Sequence, residues 1–543
     1  MPKTIRILFL QESISIFINI TCKVIKHSIV ILSILFFQSC KTEKPKIKIF
    51  KPIYQLKSNL IKCNYPSGIY SNDTLLLKIY CDSIYSLKLI YKGDTLIRKN
   101  QINFGLKKSN LELMNIPTTT KIYDNYENHW VRPKGDFSSF HQIKLLLSKN
   151  NIIIDSSILN YIIGAHSEMN VPIVQIQVDR EYLFSSDSGC YIPGKTINVE
   201  KKETSGNFYT FKKRKQQGHF EMWKDDSLYL NGNYNFRIHG YITPLSPQKS
   251  LLLYLTKANS VNKILNLSHQ VDKIILRSSF AGWGYEIFTD GFISEICKNL
   301  NVDVMAYRTV ITFLNGEYWG IHGLRERMDL EAISNKYNIE KKKLTDADDK
   351  GFSKKNGYGD LNKLILSIKE NPNIGYNIIK KEFHMKSLID WLIIELFFQN
   401  NDWPCNNTFF WKKKKGKWNC VLIDMDASIG TPKFNMFNFI VKDRSPALGG
   451  VLYSYLLRQN EFRTNFTNRA NYLLNHDLSA NNLTINFQKF KPHFDPIVRE
   501  HYQRWNHIDG LKKYNKSLER IELFCKKRGI YFKRNMNDFF KSN

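Results

Sequence analysis

None of the nine cysteines, at 22, 40, 63, 81, 190, 297, 405, 420 and 525, forms a CxxC pair, which excludes zinc-ribbon and thioredoxin-type chemistry. Also missing are any helix-turn-helix, zinc-finger or RNP-like signature and any internal repeat. Acidic residues are few: 49 Asp+Glu face 79 Lys+Arg, a net charge of +30. Such an excess suits an anionic partner, but the lysines are spread along the whole chain among Asn, Ile, Phe and Tyr, as a compositional bias would spread them. Nucleic acid is therefore not an expected partner.

What is present points to a folded chain. Hydrophobic residues make up 43% of 543 positions, enough for several cores and too long a chain for one. Near the start, Lys23 and Lys26 precede "SIVILSILFFQSC", whose apolar run (28–37) is too short to span a bilayer but suits a signal-peptide core. It ends at Cys40 after a small Ser39, similar to a bacterial lipobox with Phe37 at the usual leucine position. The expectation is an exported cell-envelope lipoprotein, held at the membrane by a lipid on Cys40, on the periplasmic or surface side. An ordinary signal-region cysteine is the alternative. Export would permit disulfides, for example Cys63–Cys81 or Cys405–Cys420.

The organisation predicted is a signal region (1–40), a Lys/Pro-rich tether (41–58), a small antiparallel β module (59–168), a mixed domain (169–470) and a helical C-terminal extension of it (471–543). Within the mixed domain, strands flank a loop at 240–249, a helix is expected at 285–299, and Asn315-Gly316 marks a hairpin turn. Strands followed by helices give an α+β, two-lobed body behind a β module.

The polar stretch "NNDWPCNN" (400–407) follows an apolar run (386–400) that predicts a buried helix. After it, "TFFW" (408–411), "KKKKGK" (412–417) and "WNCVLI" (418–423) predict strand, solvated turn and strand. Paired strands lie about 4.8 Å apart, so this hairpin brings residues 402–407 beside "DMDASIG" (424–430). Asp402, Asn407, Asp424 and Asp426 then converge, at a cost that a cation would relieve. Oxygen ligands suit Mg or Mn rather than zinc. An Asp, an Asn five positions on, a short hairpin and a metal-side Asp is also the order of parts in kinase phosphoryl transfer.

Four segments, "RIHGYITPLSPQKSLLLYL", "FLNGEYWGIHGLRERMD", "NNDWPCNN" and "KGKWNCVLIDMDASIG", together resemble the CotH kinase family, spore-coat-H-like atypical kinases common among secreted bacterial proteins. The resemblance covers about 230–470. It implies a two-lobed protein-kinase-like domain, ATP as cofactor with a divalent cation, Mg or Mn, and an exported or surface protein as substrate. Position by position it implies Lys249 at the ATP phosphates, Asp402 as the catalytic aspartate, Asn407 and Asp424 as metal ligands with Asp426 a second candidate, and Glu326 near the hinge. Glu295 or Glu286 would be a helix partner for Lys249. "YPSGIYSNDTLLLKI" and "VPIVQIQVDREYLF" resemble a chitobiase-like β-sandwich module, for which a glycan is the candidate ligand. Two departures stand out: "DMD" replaces a DFG motif, and the loop 240–247 is poor in glycine.

Each of these residues also has a structural reading. Asp402 suits a turn that bonds its own backbone, Asp424 and Asp426 suit exposed strand ends, and Lys249 suits solvated surface. Arg237 suits a structural ion pair. Arg325 and Arg327 suit either phosphate contact or a local salt network around Glu326. His239 and His322 suit core histidines, Trp403 and Trp411 core packing, and Lys412–Lys415 a solvated turn. The competing function is a non-catalytic envelope scaffold or adhesion protein that retains the fold.

Overall fold

Burial alternates along strand Thr74–Tyr80, where Leu75, Leu77 and Ile79 are buried while the residues between them, Leu76 among them, face solvent. The computed structural model describes residues 60–108, 135–164 and 170–542, apart from 199, 202–204, 226, 241–242, 257–258, 280–281, 284, 349–351, 354–356, 359, 372–374, 405, 444–447 and 506–508. The signal-like run, Cys40 and the tether lie outside these residues. All the described residues belong to one unit, Ile49–Asn543.

The strands are β1 (Lys62–Cys63), β2 (Gly68–Tyr70), β3 (Thr74–Tyr80), β4 (Ser86–Tyr91), β5 (Asp94–Lys99), β6 (Gln101–Lys107), β7 (Ser139–Lys149) and β8 (Ile152–Ile163). A sheet ordered β1-β3-β6 faces the β2-β8-β7-β4-β5 ladder, and alternate residues of both, such as Leu77, Leu89, Ile102, Leu145 and Tyr161, share one core. Cys63 and Cys81 both carry free thiols there, so the first suggested disulfide is not formed. Cys420 is likewise a free, buried thiol, and Cys405 lies outside the described residues.

Seven later strands close on themselves. They are β9 (Ile173–Gln177), β10 (Gln216–Lys224), β11 (Ser227–His239), β12 (Ser250–Tyr254), β13 (Lys273–Arg277), β15 (Tyr307–Leu314) and β16 (Glu317–Glu326), with β14 (Asp303–Val304) outside the ring. The ladder runs β9-β10-β11-β12-β13-β16-β15 and back to β9, a barrel whose only parallel pair is β9 with β15. Closure removes the exposed edges that an open sheet would leave. The expected turn between β15 and β16 is present, with Asn315 (φ 51°) and Gly316 (φ 88°) both left-handed. Phe220, Met222, Phe236, Leu253, Ile274 and Leu324 are among the residues that fill the barrel. The β module is hydrogen-bonded to it through Ser139 on β7 and Glu317 on β16.

A second small sheet packs outside the barrel. It comprises β14, β17 (Leu344–Asp348), β20 (Thr408–Lys413) and β21 (Asn419–Leu422), in the order β14-β21-β20-β17, while β18 (Phe352–Ser353) and β19 (Gly357–Tyr358) pair separately. Leu252 and Ile275, which point outward from β12 and β13, meet Met328, Leu344, Trp411 and Val421 there. Each such burial contributes about 1.5–3 kcal/mol. The rest is mostly helical. Helix Met385–Phe398 is buried on every face from Ser387 onward, as its unbroken apolar composition predicts. Helix Gly510–Ser542 instead buries one stripe, Tyr514, Leu518, Ile521, Cys525, Arg528 and Phe532, at spacings of three and four. The helix expected at 285–299 is Thr289–Cys297. The architecture is α+β. Among the described residues no helix is long and apolar enough to cross a membrane.

Candidate active site

Two loops meet at the outer end of β13. The first, 400–407, is anchored by Trp403, whose fully buried ring lies 5.7 Å from Trp391 and 4.5 Å from Tyr453. With the tryptophan held, the polar residues around it are free to serve one another. Asn400, also buried, accepts from the Asp402 backbone N–H at 3.2 Å and donates to the Asp424 carbonyl (3.5 Å) and Met425 Sδ (3.4 Å). Asn407 donates to the same Asp424 carbonyl at 3.3 Å. The side chain of Asp402 faces solvent. The second loop follows β21. The β20–β21 register pairs Thr408 with Leu422, so Asn407 and Asp424 fall at the same end of the hairpin. Both have left-handed backbone, φ 63° and 54°, which Asn and Asp tolerate better than most residues.

The loops are tied together by Asn401 N–H to Ala427 O (3.2 Å) and Ile429 N–H to Phe398 O (2.7 Å). A Cβ at Gly430 would sit 2.8 Å from Gln399 Oε1, the movable end of that side chain.

The charges at this site are organised by a residue the sequence reading passed over. Arg277, the last residue of β13, donates to Asp424 Oδ1 and, at 2.8 Å, to Asp426 Oδ2. Its Nε lies 3.6 Å from Asp290 on helix Thr289–Cys297. Asp290 in turn pairs with Arg325 and accepts the Met425 N–H at 3.2 Å. Arg325 donates to Ser294 Oγ and Met305 O, both at 2.7 Å. Burial opposes the charge on Arg277, yet the Asp424 and Asp426 carboxylates outweigh it and raise its pKa. Burial, reinforced by the neighbouring Arg277, pulls Arg325 down to about 9. Burial raises Asp426 above the usual carboxylate range although Arg277 pulls the other way.

Strand parity decides which expected residues join this cluster. On β13, Ile274 and Leu276 point into the barrel, so Ile275 and Arg277 point out, toward the loops. On β16, Leu324 points in and Arg325 out, which sends Glu326 inward to His269 at 2.9 Å. Lys249 keeps the inward parity of Leu251 and Leu253: its Nζ donates to Pro244 O (2.6 Å) and Ser246 O (2.8 Å) and lies over the rings of Tyr191 and Phe208. Burial lowers its pKa to about 7. The structure therefore groups Asn407, Asp424 and Asp426 and places Lys249 and Glu326 elsewhere. Lys249 is not solvated surface either, being 1% exposed.

Other expectations need correction. Glu286 bonds Arg520 at 3.1 Å and Thr289 Oγ1 at 2.6 Å, and Glu295 pairs with Lys298, so neither partners Lys249. Arg237 donates to the Tyr254 hydroxyl (3.0 Å) rather than to a carboxylate. Lys412 is buried, 4.5 Å over Trp418 and 3.5 Å from Glu382, because it still belongs to β20. His322 is a core histidine with its pKa lowered to about 4 by burial. Arg277 and Asp290 had a faint signal, an arginine ending the apolar run "IILR" and an acid in the first turn of the next helix.

An all-oxygen pair, Asp424 with a side chain 40% exposed and Asn407 beside it, fits a hard divalent cation by chemistry. Asp426 fits less well, being 7% exposed and engaged by Arg277. Among the described residues no three His, Cys, Asp or Glu side chains form a ready metal cluster.

The site thus gathers an exposed Asp, an Asn and an Asp at one hairpin end, facing a strand-end arginine linked to a helical Asp. The profile of the CotH kinase protein family matches residues 236–532, more than half of the chain. The chain belongs to the CotH kinase family. That match spans every residue of the site just described, from Arg277 to Asp426, and most of the C-terminal helix. Comparison with curated proteins returns no match.

Proposed function

We propose that this CotH-family chain is an atypical protein-kinase-like phosphotransferase, using ATP and Mg or Mn to modify exported or surface proteins. In this reading the barrel and the helical body act as the two lobes, and residues 59–168 form a β-sandwich module that offers a surface for glycan. The supporting observation is the junction of Asp402, Asn407 and Asp424 with Arg277. Asp424 and Asn407 would hold the cation, which would neutralise charge on the transferred phosphoryl group. Asp402, exposed at the mouth, accepts the proton of the acceptor hydroxyl. Arg277 orients the Asp424 carboxylate, and Asp290 and Arg325 brace Arg277 against rotation. Export as a lipoprotein through Cys40 remains part of the proposal on sequence grounds.

A second reading, a scaffold that keeps the fold without turnover, draws on one observation: Arg277 already engages both Asp424 and Asp426, so part of their charge is offset without a cation. Phosphate incorporation by the purified chain with labelled ATP and either metal separates the two. Under the kinase reading Asp402→Ala and Asp424→Ala each lower incorporation by about a hundredfold or more. Wild-type protein that transfers nothing with Mg or Mn would leave the scaffold.

A further inference from the structure

With Lys249 turned into the barrel, the phosphate-side charge has to come from elsewhere. A cavity of about 400 Å³ opens beside Asp426, walled by Ser428 on the same loop, by Glu286, and by Lys513, Lys516 and Arg520 of helix Gly510–Ser542. Its size falls within the range of small-molecule sites.

The carboxylates in its wall are already satisfied. Glu286 is held by Arg520 and Thr289, and Asp426 by Arg277. Lys513 and Lys516 form no ion pair among the described residues, so the cavity carries uncompensated positive charge. Ser428 Oγ, buried in the same wall, has no hydrogen-bond partner among the described residues. Two ammonium groups without a carboxylate partner, that of Lys513 lying 5.5 Å over the Tyr285 ring, and an unspent hydroxyl are complementary to phosphate oxygens.

We infer that this cavity holds the polyphosphate chain of the phosphoryl donor, with Lys513 and Lys516 in the role expected of Lys249. The inference rests on the phosphotransferase reading for the donor's identity. The wall reaches Asp426, which shares the Arg277 guanidinium with Asp424, so an anion lodged there borders the charge cluster on which Asp424 would hold the cation. Donor phosphates must lie beside that cation, whereas an acidic acceptor peptide need not enter a cavity of this size.

Titration calorimetry of the full chain with Mg, using ATP, tripolyphosphate, adenosine and poly-glutamate, tests it. Lys513→Ala/Lys516→Ala should weaken ATP and tripolyphosphate by about tenfold or more and leave adenosine unchanged, while Lys513→Arg/Lys516→Arg stays within about threefold of wild type. Both lysines reach solvent, so the melting temperature should not move. Equal ATP affinity in wild type and the alanine pair overturns the inference and leaves the phosphotransferase reading intact. Lysine-dependent binding of tripolyphosphate without any ATP binding upholds a polyphosphate cavity and sinks the nucleotide reading. A loss confined to poly-glutamate, or no anion binding at all by wild type, overturns the inference.

Discussion

Lys249, expected at the phosphates, turns into the barrel, while Arg277 turns out to Asp424 and Asp426. Both lie near strand ends at the same end of the barrel, and a single step of parity separates inward from outward. Nothing in "PQKS" reports that parity, because the strand it precedes is apolar on both faces: Leu251 and Leu253 fill the barrel while Leu252 packs outside. Lys249→Met should therefore leave phosphoryl transfer within about threefold of wild type, where Asp424→Ala lowers it by about a hundredfold or more. The same substitution has a signature in stability. Burial pushes the folded-state pKa of Lys249 down to about 7 from the ordinary lysine value of 10.5. Between those values the unfolded chain holds a proton that the folded chain has released, so wild-type stability gains up to about 1.4 kcal/mol per pH unit as pH rises from 7 to 10.5. Urea melts across that range should show the contribution in wild type and its loss in Lys249→Met. A slope unchanged by the substitution would mean the lysine is not buried as described.

At the scale of elements, the long C-terminal helix is part of the site's frame. Arg528 is fully buried and donates four hydrogen bonds: to Leu396 O (2.8 Å) and Phe397 O (2.7 Å), at the end of helix Met385–Phe398, and to Pro432 O (2.9 Å) and Phe434 O (2.8 Å) beyond the Asp424 loop. One guanidinium thus caps the helix leading into residues 400–407 and pins the chain leaving 424–430. Arg528→Met would orphan these carbonyls, and chemical denaturation should show a loss of about 3–5 kcal/mol. A loss below about 1 kcal/mol would show that water or local adjustment satisfies them. The stripe that buries this helix was visible as helical periodicity. That an arginine within the stripe would serve two distant loops was not, since its partners lie roughly a hundred residues or more away and are backbone atoms with no side-chain signature.

For the whole molecule, the consequence is that the segment from 471 onward is not separable. Phe487, Phe494, Tyr514, Phe524 and Phe532 share one core with Phe292, Trp391, Phe410 and Leu422. A chain ending at 509 should lose the cooperative unfolding transition and become protease-sensitive through the 385–430 region. Retention of a single sharp transition would show the helix to be an accessory. By itself the sequence determined β3, β4, β7 and β8 of the β module, the buried helix before 400, the Asn315-Gly316 turn, the 408–422 hairpin and the company of Asn407 with Asp424, because each depends on local periodicity or on two strands joined by a short turn. The structure alone decided the closure of seven strands into a barrel, the inward turn of Lys249 and Glu326, and the guanidinium clamp of Arg277 on Asp424 and Asp426. Those features join residues tens to hundreds of positions apart, where packing and strand parity choose the partner and local pattern carries no information about it.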